Sequence, residues 1–568
     1  MDTSFYHGRY YIYYGIIPVL VFMLPFRLLT GGDLWLGTAG ECAGLLAFLA
    51  LAWFWLRARR DLFPRSSSLM VFSSIMALGM ATGLLSIARR PMMYEFAIAS
   101  GCLFVTLMLH SLYSSLSSPR RPFWMAAAGV FLGLAVGCRP TFLFTILAPA
   151  WVILSGAGEG EPWKAFRKRP AALIAPAAGF AAGFGVIFSG LLLYNYLRFS
   201  SIFDFGYNYL LQDPVADLKH IWSASYFWFN LRLYYAGPLE WSRFFPFAWM
   251  GPLPPWPKSY YGVADLYGIL KYAPVTWFLL AVPLALRRGT RAGAKFAGAA
   301  VGMVFLAYLG PGLCDLFFGN SALRYAVDFL PNLVLVSAFG ACALEQAMGS
   351  GAALGGVRAA WLAACLFSAT VAAILSIPLE GSLTVHRGNA YLEKVARALN
   401  VPTYLYDNAL GWRYGPVRLQ VVFPSRPRAT VEKLVETPNA VLLAEYLPGN
   451  RLRLGIRSAE SGYVLWGGEE AVAKGRASTL FASFGSLYPT AEHPYYLDSA
   501  PGPISRSAVA VELNGRPVLK GLLPLAPVDC RDIRIADGRP ADGWFSGNVT
   551  KVERTGLPNH GMEVALEP

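Results

Sequence analysis

The sequence predicts an α-helical, polytopic membrane protein of about 10–11 spans carrying a C-terminal extracytoplasmic β-rich domain. Three observations predict this architecture. The 568 residues are 55% hydrophobic and only 14% charged, well below the charged quarter of an ordinary soluble domain. Long apolar runs recur through most of the chain, and arginine and lysine clusters separate them at every second connection. Beyond about residue 379 the long runs give way to short alternating segments.

A span needs about 20 apolar residues. Candidates fall at roughly 35–56, 69–88, 92–115, 123–138, 141–156, 172–195, 271–286, 296–318, 325–345 and 359–378. The fourth and fifth are short and meet at Arg139-Pro140, so they read as a bent pair. The basic clusters are Arg57, Arg59, Arg60 and Arg65; Arg120 and Arg121; Lys164, Arg167, Lys168 and Arg169; Arg287, Arg288, Arg291 and Lys295; and Arg358. They share one side, which the positive-inside rule makes the cytoplasm of a bacterial inner membrane. The stretch 1–34, the connections near 89–91, 139–140 and 319–324, the loop 196–270 and everything after about 379 then lie outside. The run 12–29 holds Pro18, Pro25 and Arg27; it reads as an interfacial amphipathic helix, with a crossing from inside as the alternative. The net charge of +14 therefore reflects membrane topology and implies a lipid bilayer as partner, not nucleic acid. Six of the seven cysteines lie in or beside apolar runs and Cys530 stands alone, so no disulfide framework or zinc spacing is present.

In the C-terminal part, "AYLEKVARALN" carries helical spacing. After it come "RLQVVF", "AVLLAEYL", "RLRLGI", "GYVLWGG" and "AVAVELNGRPVL", alternating as strands do. Asn514-Gly515 between two such runs is a hairpin signal. The expected organisation is an outer segment with an interfacial helix over 1–34, a multi-span domain over 35–378 and a β sandwich within 379–568.

The informative charges stand on the wrong side. Arg89 and Arg90 precede Tyr94 and Glu95, Arg139 sits in "GCRPT", and Arg324 and Asp328 sit in "SALRYAVDFLP". Ionisable groups near membrane depth are costly and face a cavity or a partner. Converging arginines suit a phosphate, which their planar forks bind through two parallel hydrogen bonds. The competing reading is local pairing: Arg324 with Asp328 at i,i+4, and Arg89 or Arg90 with Glu95. The loop 196–270 is dense in aromatics, which stack on sugars or form interfacial belts, and Asp204, Glu240 and Arg243 mark a site rim within it. Trp466, Tyr488 and Trp544 in the β domain are open to glycan contact or core packing. Gly-rich phosphate loops, GxSxG and HExxH are absent, and the scattered histidines build no metal site.

Four stretches, "SFYHGRYYIYYGIIPVLVFMLPFRLLTG", "GLAVGCRPT", "YNYLRFSSIFDFGYNYLL" and "LRYAVDFLPNLVLVSA", together resemble the GT-C superfamily of membrane glycosyltransferases. The branch is that of the protein O-mannosyltransferases and lipid A aminoarabinose transferases, and the resemblance covers roughly 1–378. It implies transfer of a sugar from a polyprenyl-phosphate donor to a glycan, lipid or protein acceptor at the outer face. The acceptor hydroxyl attacks with inversion, helped by a carboxylate base, and neither a cofactor nor a divalent metal is required. It also implies a first span and an acidic motif ahead of "GRYYIYYGIIPVLVFMLPF", so the chain as given is expected to be catalytically weak. Asp2 is the carboxylate ahead of that helix, but no flanking residues match the family's aspartate. The candidate catalytic carboxylates are Glu95, Asp2 and Asp328, with Glu95 favoured because it neighbours the arginines. The candidate donor-binding residues are Arg9, Tyr10, Tyr11, Arg89, Arg90, Arg139, Asp204 and Arg324. A polysaccharide polymerase or ligase of similar topology, and a non-catalytic membrane protein with a carbohydrate-binding β domain, are the alternatives.

Overall fold

The computed structural model describes residues 3–12, 15–88, 92–155, 171–206, 209–211, 221–241, 243, 245, 247–250, 253–264, 266–286, 291–376, 398–399, 401–403, 405–406, 409–410, 415–459, 461–473, 475–487, 508–523, 525, 532–536 and 542–554. The chain divides into two compact units, Met1–Glu240 with Ala248–Ile377 and Trp241–Phe247 with Pro378–Pro568.

The first unit opens with a hairpin, β1 (Thr3–Tyr6) and β2 (Arg9–Ile12), turned at His7 and Gly8, both at positive φ. Helices follow: α1 (Val19–Thr30), α2 (Leu36–Leu62), α3 (Ser68–Met80), α4 (Leu84–Ala88), α5 (Met93–Ser117), α6 (Arg121–Val136), α7 (Pro140–Ser155), α8 (Ala171–Phe199), α9 (Phe227–Ala236), α10 (Pro274–Leu286), α11 (Arg291–Leu316), α12 (Leu323–Ala326), α13 (Leu330–Ala347) and α14 (Ala352–Leu375). Two short strands among them, β3 (Gly262–Ala264) and β4 (Asn320–Ala322), pair in parallel. Each of the ten candidate spans is mostly helical among the described residues. Among the described residues, six helices are long and apolar enough to cross a membrane: α2, α5, α8, α11, α13 and α14. Five further apolar helices, α1, α3, α6, α7 and α10, are 10–17 residues long. Their shortness has local causes. Gly83, at φ +79°, splits the run 69–88 into α3 and α4. Pro140 and Pro274 open α7 and α10 as 3-10 turns, which rise about 2.0 Å per residue against 1.5 Å in an α-helix and so lengthen both.

Most of α5 and α13 is buried but little of α8, so the first two are interior and α8 is peripheral. Glycines let α6 and α8 touch backbone to backbone. A Cβ on Gly179 would meet the Pro122 carbonyl oxygen at 2.4 Å, one on Gly183 the Ala126 oxygen at 2.0 Å, and one on Gly129 the Phe180 oxygen at 2.2 Å. This is the small-residue packing of membrane helices, spaced four apart on each partner.

The second unit is a sandwich. Its strands are β5 (Val417–Val422), β6 (Val431–Glu436), β7 (Ala440–Leu447), β8 (Arg451–Ser458), β9 (Val464–Ala471), β10 (Ala477–Ser483), β11 (Ala508–Leu513), β12 (Arg516–Leu522), β13 (Arg534–Ile535) and β14 (Asn548–Arg554). One sheet runs β9-β8-β7-β6-β13 and the other β12-β11-β10-β5-β14, and all pairs are antiparallel. Alternate residues of both sheets, among them Leu419, Val421, Leu442, Leu454, Leu480 and Val511, fill one core. Asn514 and Gly515, at φ 54° and 77°, form the tight turn between β11 and β12, as the primed hairpin turns require.

Candidate functional site

The chemistry-bearing side chains of the helical unit gather where α5, α7, α11 and α13 begin or end. Arg139 precedes Pro140, which excludes the α conformation there; it is extended, with φ −149°, and caps α7. Its Nη1 lies 3.2 Å from both carboxylate oxygens of Asp328, in the turn before α13. The Thr141 hydroxyl donates to Asp328 Oδ2 at 2.8 Å. The Asp328 side chain is wholly buried, while that of Arg139 keeps 15% exposure. Burial works against the Arg139 charge, yet Asp328 beside it lifts the guanidinium above its ordinary range.

Arg324 makes the second pair. Its Nη1 is 3.9 Å from Glu95 Oε1, with the side chains 22% and 2% exposed. Glu95 stands in the first turn of α5, where the positive end of the helix dipole favours a carboxylate. The Arg324 guanidinium packs over Tyr94 at 5.0 Å and Tyr325 at 5.2 Å. Arg139 packs over the same Tyr325 ring at 4.9 Å. Two guanidiniums from distant segments thus share one aromatic ring, each with a carboxylate behind it and an edge left accessible.

A third carboxylate escaped the sequence reading. Asp315, in the last turn of α11, is 1% exposed and its Oδ2 has no hydrogen-bond partner among the described residues. It is close enough to Asp328 and Arg139 to interact electrostatically with both. The end of a helix is the wrong place for an anion, so the residue is costly there. The run 296–318 reads simply as a span; the overlooked signal was a lone carboxylate in "GPGLCDLFF". Asn230 of α9 was missed too. Its side-chain amide donates to the carbonyls of Asp315 (3.1 Å), Leu316 (3.1 Å) and Phe318 (2.7 Å), satisfying the open end of α11. Its oxygen accepts from the Tyr260 hydroxyl at 2.6 Å, and the Ser321 hydroxyl, 2.8 Å away, donates to the same Tyr260 oxygen. Part of the aromatic loop is therefore stitched to the turn that leads into Arg324.

Asp204 falls in a separate group. Its Oδ1 accepts from Gly206 N–H at 2.7 Å, and the Gly206 carbonyl accepts from the Ser4 hydroxyl of β1 at 2.6 Å. Tyr11 meets Phe199 edge-on at 5.4 Å, while Arg9 and Tyr10 are exposed on β2. Arg198, not singled out in the sequence, is buried here with its guanidinium over Tyr194 at 4.0 Å and donating to Asn195 at 2.8 Å. The chain then runs from the hairpin towards the first group. Ile17 N–H donates to the Gly137 carbonyl at 3.4 Å, and a Cβ on Gly15 would lie 1.6 Å from that oxygen, two residues before Arg139. Asp2, Arg89 and Arg90 lie outside the described residues. In the sandwich, Trp544 is 5% exposed and belongs to the interior. Trp466 lies flat over Gly455, with Arg453 above its ring at 4.7 Å. Tyr488 lies outside the described residues.

No family model matches this chain, and no curated protein matches it. A solved structure, the archaeal oligosaccharyltransferase AglB from Archaeoglobus fulgidus in complex with an inhibitory peptide and a dolichol-phosphate, is similar at 13% identity and a TM-score of 0.30. The match covers 64% of this chain and 48% of that one, so this chain matches about half the length of its neighbour. Among the described residues, no group of three or more His, Cys, Asp or Glu is placed to hold a metal ion.

Proposed function

We propose that this protein is an integral-membrane glycosyltransferase that moves a sugar from a polyprenyl-phosphate donor to an acceptor hydroxyl at the outer membrane face. The observation that carries this reading is the meeting of Arg139 and Arg324 on the Tyr325 ring, each backed by a buried carboxylate. Two fixed forks with accessible edges suit the phosphate that leaves with its lipid. Asp328 already accepts from Arg139 and Thr141; it is a positioning residue that holds Arg139 in place. Asp315 has an oxygen to spare and takes the base role: the acceptor oxygen bonds to the anomeric carbon, the carbon–phosphate-oxygen bond breaks, and the acceptor proton passes to the carboxylate. Arginine alone meets the donor's charge, so neither nucleotide nor metal enters the scheme.

The test is a transfer assay with the full chain reconstituted in lipid and a polyprenyl-phosphate sugar. Asp315→Asn should lower turnover by about 10²–10⁴-fold, the usual worth of a general base, while donor binding persists. Unchanged turnover in Asp315→Asn with loss in Glu95→Gln would move the base to Glu95. Absence of both turnover and donor binding would overturn the reading.

A further inference from the structure

The opposite end of α13 carries a second charged site. There α10 and α13 end, α14 begins, and the connection after α2 passes by, enclosing a cleft of about 450 Å³ lined by Arg65, Leu284, Glu345, Gln346, Leu354 and Arg358. Glu345 is 2% exposed and its charge is already committed: Oε1 accepts from Arg358 Nε at 2.8 Å, and both oxygens accept from Ser67 N–H at 3.3 Å. Arg358 keeps its remaining donors and 36% side-chain exposure. Arg65 is exposed on the cleft wall and makes no ion pair among the described residues. The other arginines of its cluster are occupied. Arg57 donates to the Ser114 hydroxyl at 3.0 Å, Arg59 to the Ser66 carbonyl at 2.6 Å, and Arg60 to Asp61 at 3.1 Å. Two guanidiniums against one spent carboxylate leave the cleft positive.

We propose that this cleft binds the phosphate of an anionic phospholipid headgroup. A phosphate takes two guanidiniums well because each fork offers it parallel hydrogen bonds. The location selects a lipid over a soluble anion. The cleft sits at the ends of apolar helices, beside the connections that carry the chain's basic clusters. That is headgroup depth on the face where anionic lipids are enriched, and basic pockets between helix ends are the expected receptors for them. Leu284 and Leu354 supply apolar wall for the first part of the acyl chains. The 18 residues of α13 place the cleft about 27 Å along the helix from Asp328, so lipid bound here does not compete with a donor at Arg139 and Arg324.

The experiment compares the full chain in nanodiscs of phosphatidylcholine doped with phosphatidylglycerol, reading bound phosphatidylglycerol by native mass spectrometry. Arg65→Gln should weaken retention roughly fivefold, the worth of one arginine near an anionic surface. Leu354→Glu, which sets a negative charge on the wall one turn before Arg358 and so competes for its guanidinium, should weaken it at least as much. Arg60→Gln, in the same basic cluster but outside the cleft, should leave it unchanged. An equal loss in Arg60→Gln would reduce the effect to general surface attraction and overturn the site. Full retention in both cleft variants would also overturn it, and displacement of the lipid by millimolar inorganic phosphate would overturn the lipid as its occupant.

Discussion

Arg139 and Asp328 stand 189 residues apart in the chain and 3.2 Å apart in the fold. The pair ties the bend before α7 to the turn before α13, and Asp328 is wholly buried. Removing one partner of such a pair strands a charge, which typically costs about 3–5 kcal/mol, whereas replacing both with apolar groups is often near neutral. Asp328→Ala should therefore lower stability by about that amount, and Arg139→Met with Asp328→Leu should recover most of it. Thermal unfolding in detergent, followed by helical circular dichroism, measures this cycle. Strict additivity of the single losses would show that the ion pair does not couple the two segments.

The sequence carried the architecture because helix and strand periods are local. Among the described residues each candidate span is mostly helical, and Asn514-Gly515 forms the turn it promised. Pairing was less legible, because it depends on chain direction over a few residues. Arg324 and Asp328 are spaced for an i,i+4 bridge, but α12 is a single turn ending at Ala326 and Phe329 leaves helical geometry. The two side chains consequently find Glu95 and Arg139 instead. Asp315 was hidden by its setting, since a single carboxylate barely lowers the hydropathy of a long apolar run. The shared Tyr325 ring was invisible for another reason: stacking across segments leaves no trace in spacing.

The glycines between α6 and α8 give a sharp contrast. A Cβ on Gly183 would lie 2.0 Å from the Ala126 carbonyl oxygen, whereas one on Gly185 meets nothing within 4 Å. Gly183→Ala must push the helices apart and should lose about 1–3 kcal/mol. Gly185→Ala, two residues along, should be neutral or stabilising, because alanine is the better helix former. The difference in unfolding midpoint between the two variants tests the contact, and equal midpoints would exclude it.

Orientation follows from charge. Arg65 and Arg358 stand at one end of the helical unit with the cleft between them, and the positive-inside rule assigns that end to the cytoplasm. On that assignment the chain is expected to leave the other end of α14, at Leu375, on the outer side. A reporter that works only outside the cytoplasm, fused after Pro568, should be active, and a cytoplasm-only reporter at the same point should be silent. The reverse pattern would invert the whole assignment, including the side on which Arg139 and Arg324 could meet a donor.

Arg324 separates ligand binding from structural pairing. Its guanidinium packs over Tyr94 and Tyr325 and stands 3.9 Å from Glu95, a distance at the outer limit of an ion pair. Lysine in its place would keep a positive charge for Glu95 but lose the planar fork and the stacking. If Arg324 serves a phosphate, Arg324→Lys should weaken binding of polyprenyl phosphate about tenfold or more, as expected when a charge-assisted hydrogen bond worth roughly 1.5–3 kcal/mol is lost. The unfolding midpoint should hardly move, since the charge balance with Glu95 survives. If Arg324 only neutralises Glu95, the pattern inverts: lysine preserves both binding and stability, and Arg324→Ala lowers them together. Measuring the dissociation constant and the midpoint on the same preparations of both variants decides between a donor site and a buried structural bridge.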